Sequence, residues 1–236
     1  MLGADEAGKG PVLGPMVAAA VRADPTAIPA DVDDSKRLSP ARREALDTAL
    51  RGDDRVAVAV SVISVDRIDD PAADMNSLTV VGQAEALARV ARGGDRAVVD
   101  AGDVRESRFA DRVADAVAAG GSDENAPDED AVADAAAGAD IDVTAEHGAD
   151  ESFPVVAAAS VIAKVERDRI VAELDAAYRD RGYDGIGSGY PSDPTTREFL
   201  REFVAREGDL PECARRSWST CEDVLAANEQ SALDEF

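Results

Sequence analysis

Short β-branched runs that stop at a carboxylate alternate in this chain with longer stretches of helical spacing, and that alternation most narrows the folds open to it. Ala97-Val98-Val99 runs directly into Asp100. Val56–Val65 is β-branched and largely apolar, as expected of a strand buried on one or both faces. Gly3–Glu6 reads as the end of a first strand, Pro11–Arg22 as a second strand or two short ones, and Ile141–Glu146 as a further strand. Asn76–Ala91 places Leu78, Val81, Ala84, Leu87 and Val90 near helical spacing. Pro40–Leu50 has Ser39 as N-cap and Pro40 in its first turn, and Pro154–Tyr178 is the longest helix, with Ser152 a candidate cap. Ser107–Ala118, Thr195–Arg206 and the stretch around Cys221–Asn228 are also helical. Such alternation predicts an α/β fold: a mixed central sheet flanked by helices, with a small helical C-terminal extension. The early strands lie too close in sequence for a crossover helix and are expected to pair antiparallel.

Aromatic residues make up only 4% of the 236, so Val, Ala, Leu and Ile must fill the core. No run approaches the roughly 18 apolar residues of a membrane span. Val12–Val21 is interrupted by Gly14 and Pro15 and follows two acids, unlike the basic start of a signal peptide. A soluble, cytoplasmic protein without a membrane partner is expected, most simply a monomer. Cys213 and Cys221 fit neither a zinc knuckle nor a redox pair and read as free thiols.

Asp and Glu total 49 against 25 Lys and Arg, a net charge of −24. Taken alone this argues against a nucleic-acid partner. Extreme acidity is, however, a charge lever used by halophiles, and at about 1 M salt the Debye length is about 3 Å. Distant carboxylates would then hardly repel a phosphate backbone. Basic residues are nearly all Arg; the lysines are Lys9, Lys36 and Lys164. The stretch 120–140 is acidic, low in complexity and without a basic residue, and is read as a solvated loop with no catalytic role.

Gly3-Ala4-Asp5-Glu6-Ala7-Gly8-Lys9-Gly10 nearly matches a phosphate-binding P-loop, but position 10 offers no hydroxyl for magnesium. Adjacent Asp5 and Glu6 at a strand end are costly to bury unless paired or bound to metal. For both to serve one site the chain must turn just after Asp5. Asp100 ends a buried strand, where α/β sheets place their ligands. Asp150 lies just before the long helix, where a helix cap is the plain alternative. Together these four carboxylates suit hard cations such as Mg2+ or Mn2+, and with only His147 available a catalytic zinc site is disfavoured. A pair of such cations stabilises the attacking and leaving oxygens of a phosphodiester displacement.

Groups able to place phosphates are Lys9, and Ser35 with Lys36 in a stretch with four cations and no acid up to Arg43. Ser160, Lys164 and Asp168 share a face of the long helix at four-residue steps, so Lys164 can pair with a carboxylate or reach a phosphate. Tyr190, in Gly187-Ser188-Gly189-Tyr190-Pro191-Ser192-Asp193-Pro194, can stack on a nucleotide or serve as a core or hinge residue.

These motifs resemble the archaeal ribonuclease HII (type 2 ribonuclease H) family, in a form suited to a halophile. The matching stretches are GADEAGKGPVLGPMV at 3–17, DDSKRLSP at 33–40, AVVDAGDV at 97–104, AEHGADESFPVVAAASVIAKVERD at 145–168 and GSGYPSDP at 187–194. The resemblance implies an RNase H-like domain over 1–190 and an extension over 191–236. It implies Asp5, Glu6, Asp100 and Asp150 as catalytic metal ligands for two Mg2+ or Mn2+ ions. It also implies that Gly8, Lys9 and Gly10 contact the ribonucleotide at the cleavage junction, with Tyr190 sensing the 2′-OH. Substrates would be RNA–DNA hybrids and duplex DNA carrying ribonucleotides, cut on the 5′ side to leave 3′-OH and 5′-phosphate. Here the loop reads GKG where many members have GRG, and Lys lacks the planar fork of Arg. Two other readings stay open: a nucleotide-binding protein using the near-P-loop, and a hybrid-binding module without catalysis.

Overall fold

The computed structural model describes residues 1–32, 38–121 and 138–234. Among the described residues, five strands form one mixed sheet in the order β3-β2-β1-β4-β5: β1 Leu2–Ala7, β2 Met16–Arg22, β3 Ala57–Ile63, β4 Arg96–Asp100 and β5 Asp142–Glu146. β1 and β2 are antiparallel, as their closeness in sequence requires, whereas β4 runs parallel to both β1 and β5. The helices are α1 Pro40–Arg51, α2 Val65–Ile68, α3 Met75–Ala88, α4 Glu106–Ala118, α5 Pro154–Asp180, α6 Pro194–Glu207 and α7 Ser219–Asp234. No described helix is long and apolar enough to cross a membrane.

Two local expectations are corrected. The second strand begins only at Met16; before it, Pro11 and Pro15 each lack the N–H a ladder needs, and Leu13 makes a single antiparallel bridge to Ala214. Ser152 closes a one-turn 3-10 helix, Ala149–Glu151, and does not cap α5, which starts at Pro154 directly after Phe153. The cap expected of Ser39 is present, its side chain accepting from the amide of Arg42, and the structure adds a like cap on α6, where Asp193 accepts from the amide of Thr195.

The chain packs as two compact units. The first comprises Met1–Ala7, Val17–Val62 and Met75–Glu166 and holds the sheet. One face of that sheet packs on α3 and α4: Leu2 and Ala4 of β1 and Ala97 and Val99 of β4 meet Val80, Leu87, Phe109 and Val113, all buried. The opposite face receives the start of α5. A Cβ on Gly3 would lie 2.4 Å from the backbone carbon of Val155, so only glycine lets helix and strand approach this closely.

The second unit comprises Gly8–Met16, Ile63–Asp74 and the chain from Arg167 onward. Its core gathers Val12, Leu13, Ile186, Leu200 and an aromatic group, Tyr178, Tyr183, Phe199 and Phe203. Most of those rings meet edge to face, the favoured arrangement for their quadrupoles. Cys213 and Cys221 are buried free thiols.

Candidate active site

Strand register assembles the acidic site of the first unit. Leu2, Gly3 and Ala4 pair with Ala97, Val98 and Val99, so Asp5 and Asp100 stand one step further along, neighbours at the ends of parallel strands and on one face. Asp5 is only 5% exposed. Burial, and then the charge of Asp100, push its carboxyl up to about 6. A hydrogen bond from Ser160, the charge of Lys164 and the amide of Glu6, which donates to Asp5 Oδ1 at 2.7 Å, pull the other way. Lys164 Nζ donates to Ser160 Oγ at 2.5 Å, so one face of α5 presents a cation and a hydroxyl in series to Asp5. Asp100 Oδ1 accepts from the amide of Ala149 at 2.9 Å. That bond sets the next residue, buried Asp150, beside the end of β4. A cavity of about 460 Å³ opens at Asp150, lined also by Thr26, Pro29, Val32, Ser152 and Phe153.

The turn expected just after Asp5 is absent. β1 continues through Ala7, so Asp5 and Glu6 point to opposite faces. Glu6 is engaged from the α3 side, where Gln83 Nε2 donates to its Oε2 at 2.7 Å and to the Asp100 carbonyl at 3.1 Å. Among the described residues, no three His, Cys, Asp or Glu side chains converge closely enough to hold a metal ion. The four acids therefore do not form a closed cage. What they form is a close Asp5–Asp100 pair with Glu6 and Asp150 adjoining it.

That set still fits a hard divalent cation. Mg2+ is typically held by one or two carboxylates, with waters and substrate phosphates completing the shell. The carboxyl of Asp5 is raised first by burial and then by the charge of Asp100, and a bound cation would offset both the lost hydration and the repulsion.

Two residues of this neighbourhood escaped the sequence reading. Gln83 is fully buried, and both its amide protons go to the acidic site. Glu146 pairs in register with Asp100, extending the row Asp5–Asp100 to a third strand.

The second unit brings together the other candidates. Val12 N and Leu13 N both donate to Gly189 O, tying the loop after β1 to the turn that carries Tyr190. A Cβ on Gly10 would lie 3.9 Å from the Tyr190 ring. Tyr190 is 42% exposed, and its ring lies under the Arg167 guanidinium at 5.5 Å. Asp193 braces the turn by accepting from both the amide and the hydroxyl of Ser188 at 2.7 Å. Gly8 has φ +89°, and a Cβ there would meet Arg167 Nε at 2.4 Å, so conformation and space both require glycine. Ser35 and Lys36 lie outside the described residues.

The family model for ribonuclease HII matches residues 2–221. A ribonuclease HII from Haloarcula marismortui is 56% identical over 99% of both chains. Among solved structures, ribonuclease H2 from Pyrococcus horikoshii superposes with a TM-score of 0.76 at 34% identity, covering 98% of this chain and all of that one. The ribonuclease HII of a PCNA:RNase HII complex from Archaeoglobus fulgidus gives 0.72 at 34% identity, over 94% and 95%. An RNase H-like fold, an acidic strand-end pair and a match over nearly the full length lead to one conclusion: the chain belongs to the ribonuclease HII family.

Proposed function

We propose that this chain is an endonuclease that cuts the RNA strand of RNA–DNA hybrids and cuts 5′ of ribonucleotides embedded in duplex DNA, leaving 3′-OH and 5′-phosphate. The pair of buried Asp5 and half-buried Asp100, beside Lys164, carries the reading. Asp5 and Asp100 would hold the catalytic Mg2+ or Mn2+, with Glu6 and Asp150 completing a two-ion set once substrate phosphate is present. When bound, these ions supply the Lewis-acid charge that stabilises the attacking and leaving oxygens of the displacement. Lys164 and Ser160 hold Asp5 ionised and oriented, and Lys164 offsets part of the charge that would repel a phosphate. Gly8, Lys9 and Gly10 read the ribonucleotide at the junction, Tyr190 stacks on its sugar, and the 2′-OH distinguishes it from DNA. Ser35 and Lys36 are assigned to phosphate contacts further along the strand. The protein acts as a cytoplasmic monomer; the Archaeoglobus complex supports PCNA as its replication partner.

The test is cleavage of a DNA duplex carrying one ribonucleotide, in molar KCl, with Mg2+ and then Mn2+. A single cut 5′ of the ribonucleotide is expected. Tight ATP or GTP binding without cleavage would favour the P-loop reading, and binding of hybrid without cleavage a silent module.

Gln83 is assigned the task of orienting Glu6. Gln83→Leu keeps the volume but removes both donated bonds, and residues that orient metal ligands typically change affinity or activity by about 10–100-fold. A loss of that size, partly recovered at raised Mn2+, is expected; wild-type rates at all metal concentrations would remove Gln83 from the site.

A further inference from the structure

Arg215 is an arginine with no exposed surface, more than 200 residues along the chain from the loop it touches. Burying a guanidinium is expensive unless its donors are satisfied. Here they are satisfied by backbone alone: Nε donates to Gly14 O at 2.9 Å, one terminal nitrogen to Lys9 O at 3.0 Å and the other to Gly8 O at 2.6 Å. The guanidinium lies over the Trp218 ring at 5.0 Å. A second buried arginine, Arg167, packs against Gly8 and Tyr190, and its Nε has no hydrogen-bond partner among the described residues. Burial and the nearby charge of Arg167 pull Arg215 down to about 10. Two cations are thus held beneath one loop at evident cost.

The consequence for the loop follows from peptide geometry. In a planar trans peptide the C=O and the following N–H point in opposite directions. Turning the carbonyls of Gly8 and Lys9 onto Arg215 therefore turns the amides of Lys9 and Gly10 away from it, side by side. Successive amides facing one way form an anion-attracting concavity, and the buried charge behind them deepens it.

We propose that Arg215 is a positioning residue for the ribonucleotide-reading loop: by gripping the carbonyls of Gly8, Lys9 and Gly14 it aims the Lys9 and Gly10 amides at the nucleotide. This rests on the reading that the loop contacts the ribonucleotide. Lys cannot replace Arg here, because an ammonium cannot span three carbonyls in the plane of the fork.

The test compares wild type and Arg215→Lys on the single-ribonucleotide duplex, with kcat, KM, Mn2+ affinity and the thermal transition measured on the same preparations. Misplacement of the loop should lower kcat about 100-fold, while Mn2+ affinity, set by Asp5 and Asp100, stays at the wild-type value. Wild-type kcat in Arg215→Lys, or a Mn2+ affinity that falls in step with kcat, overturns the proposal; the second result would show a general structural role. If Arg215→Lys gives no cooperative transition, Trp218→Leu carries the test, since it loosens the guanidinium without removing it. A drop in kcat at unchanged Mn2+ affinity is then expected, and an unchanged kcat overturns the proposal. A wild-type protein that leaves the ribonucleotide duplex intact would instead sink the function itself and this role with it.

Discussion

Replacing Asp5 with Asn should abolish cleavage and at the same time make the metal-free protein more stable at neutral pH. The two effects have one origin. Asp5 is buried beside Asp100, and the unbound protein carries the cost of keeping both carboxylates charged. Asn keeps the shape and removes the charge. Metal-assisted charge stabilisation amounts to several kcal/mol, so its loss should lower kcat by about 1,000-fold or more. Asp100→Asn should behave alike. Stability is read by thermal unfolding in chelator and molar KCl, activity on the single-ribonucleotide duplex. A variant that is inactive only because it fails to fold, or one that retains near-wild-type cleavage, would contradict this.

The pH dependence of that stability gap is the second large effect. The folded-state carboxyl of Asp5 is raised from 3.8 to about 6, so the folded protein binds the proton more tightly than the unfolded chain does. The corresponding stability is fully present below pH 3.8 and is lost as pH rises through about 6. At 1.36 kcal/mol per pKa unit the loss is on the order of 3 kcal/mol by pH 8. For a chain of this length that corresponds to roughly 6–12 °C in Tm. Asp5→Asn has no such loss, so the two melting curves should agree near pH 4 and separate above pH 6. Titration of the acidic surface affects both proteins equally and cancels in the difference. Divalent metal should close the gap by stabilising wild type alone. Curves that stay parallel across this range would show that Asp5 does not carry the strain assigned to it.

Much of the fold was readable in the sequence because it rests on local signals. Ala97–Asp100 announces a buried strand with an acid at its end, and Ser39-Pro40 announces a helix start; both hold in the structure. What was not readable depends on register and on partners distant in sequence. Ile141–Glu146 reads as a strand, yet nothing local says that Glu146 stands level with Asp100. Gln83 sits in a helix buried on nearly every side, where one polar residue leaves no periodic trace. The turn expected after Asp5 is not formed; the ladder with β2 continues to Ala7, paired with Val17, and Glu6 adjoins the strand ends from the α3 side, where Gln83 donates to it. Arg215 is one of many arginines in the sequence, and only the fold reveals it as the one whose donors close on the loop at 8–14.

The ligand pair itself is tested most directly by titrating Mn2+ into the substrate-free protein and following the electron paramagnetic resonance signal of the free ion. Wild type should remove Mn2+ from solution, and Asp5→Asn and Asp100→Asn should each leave it free over the same concentrations. Wild-type Mn2+ uptake in either variant would mean that the ion is held elsewhere, and that these two strand ends are not the metal site.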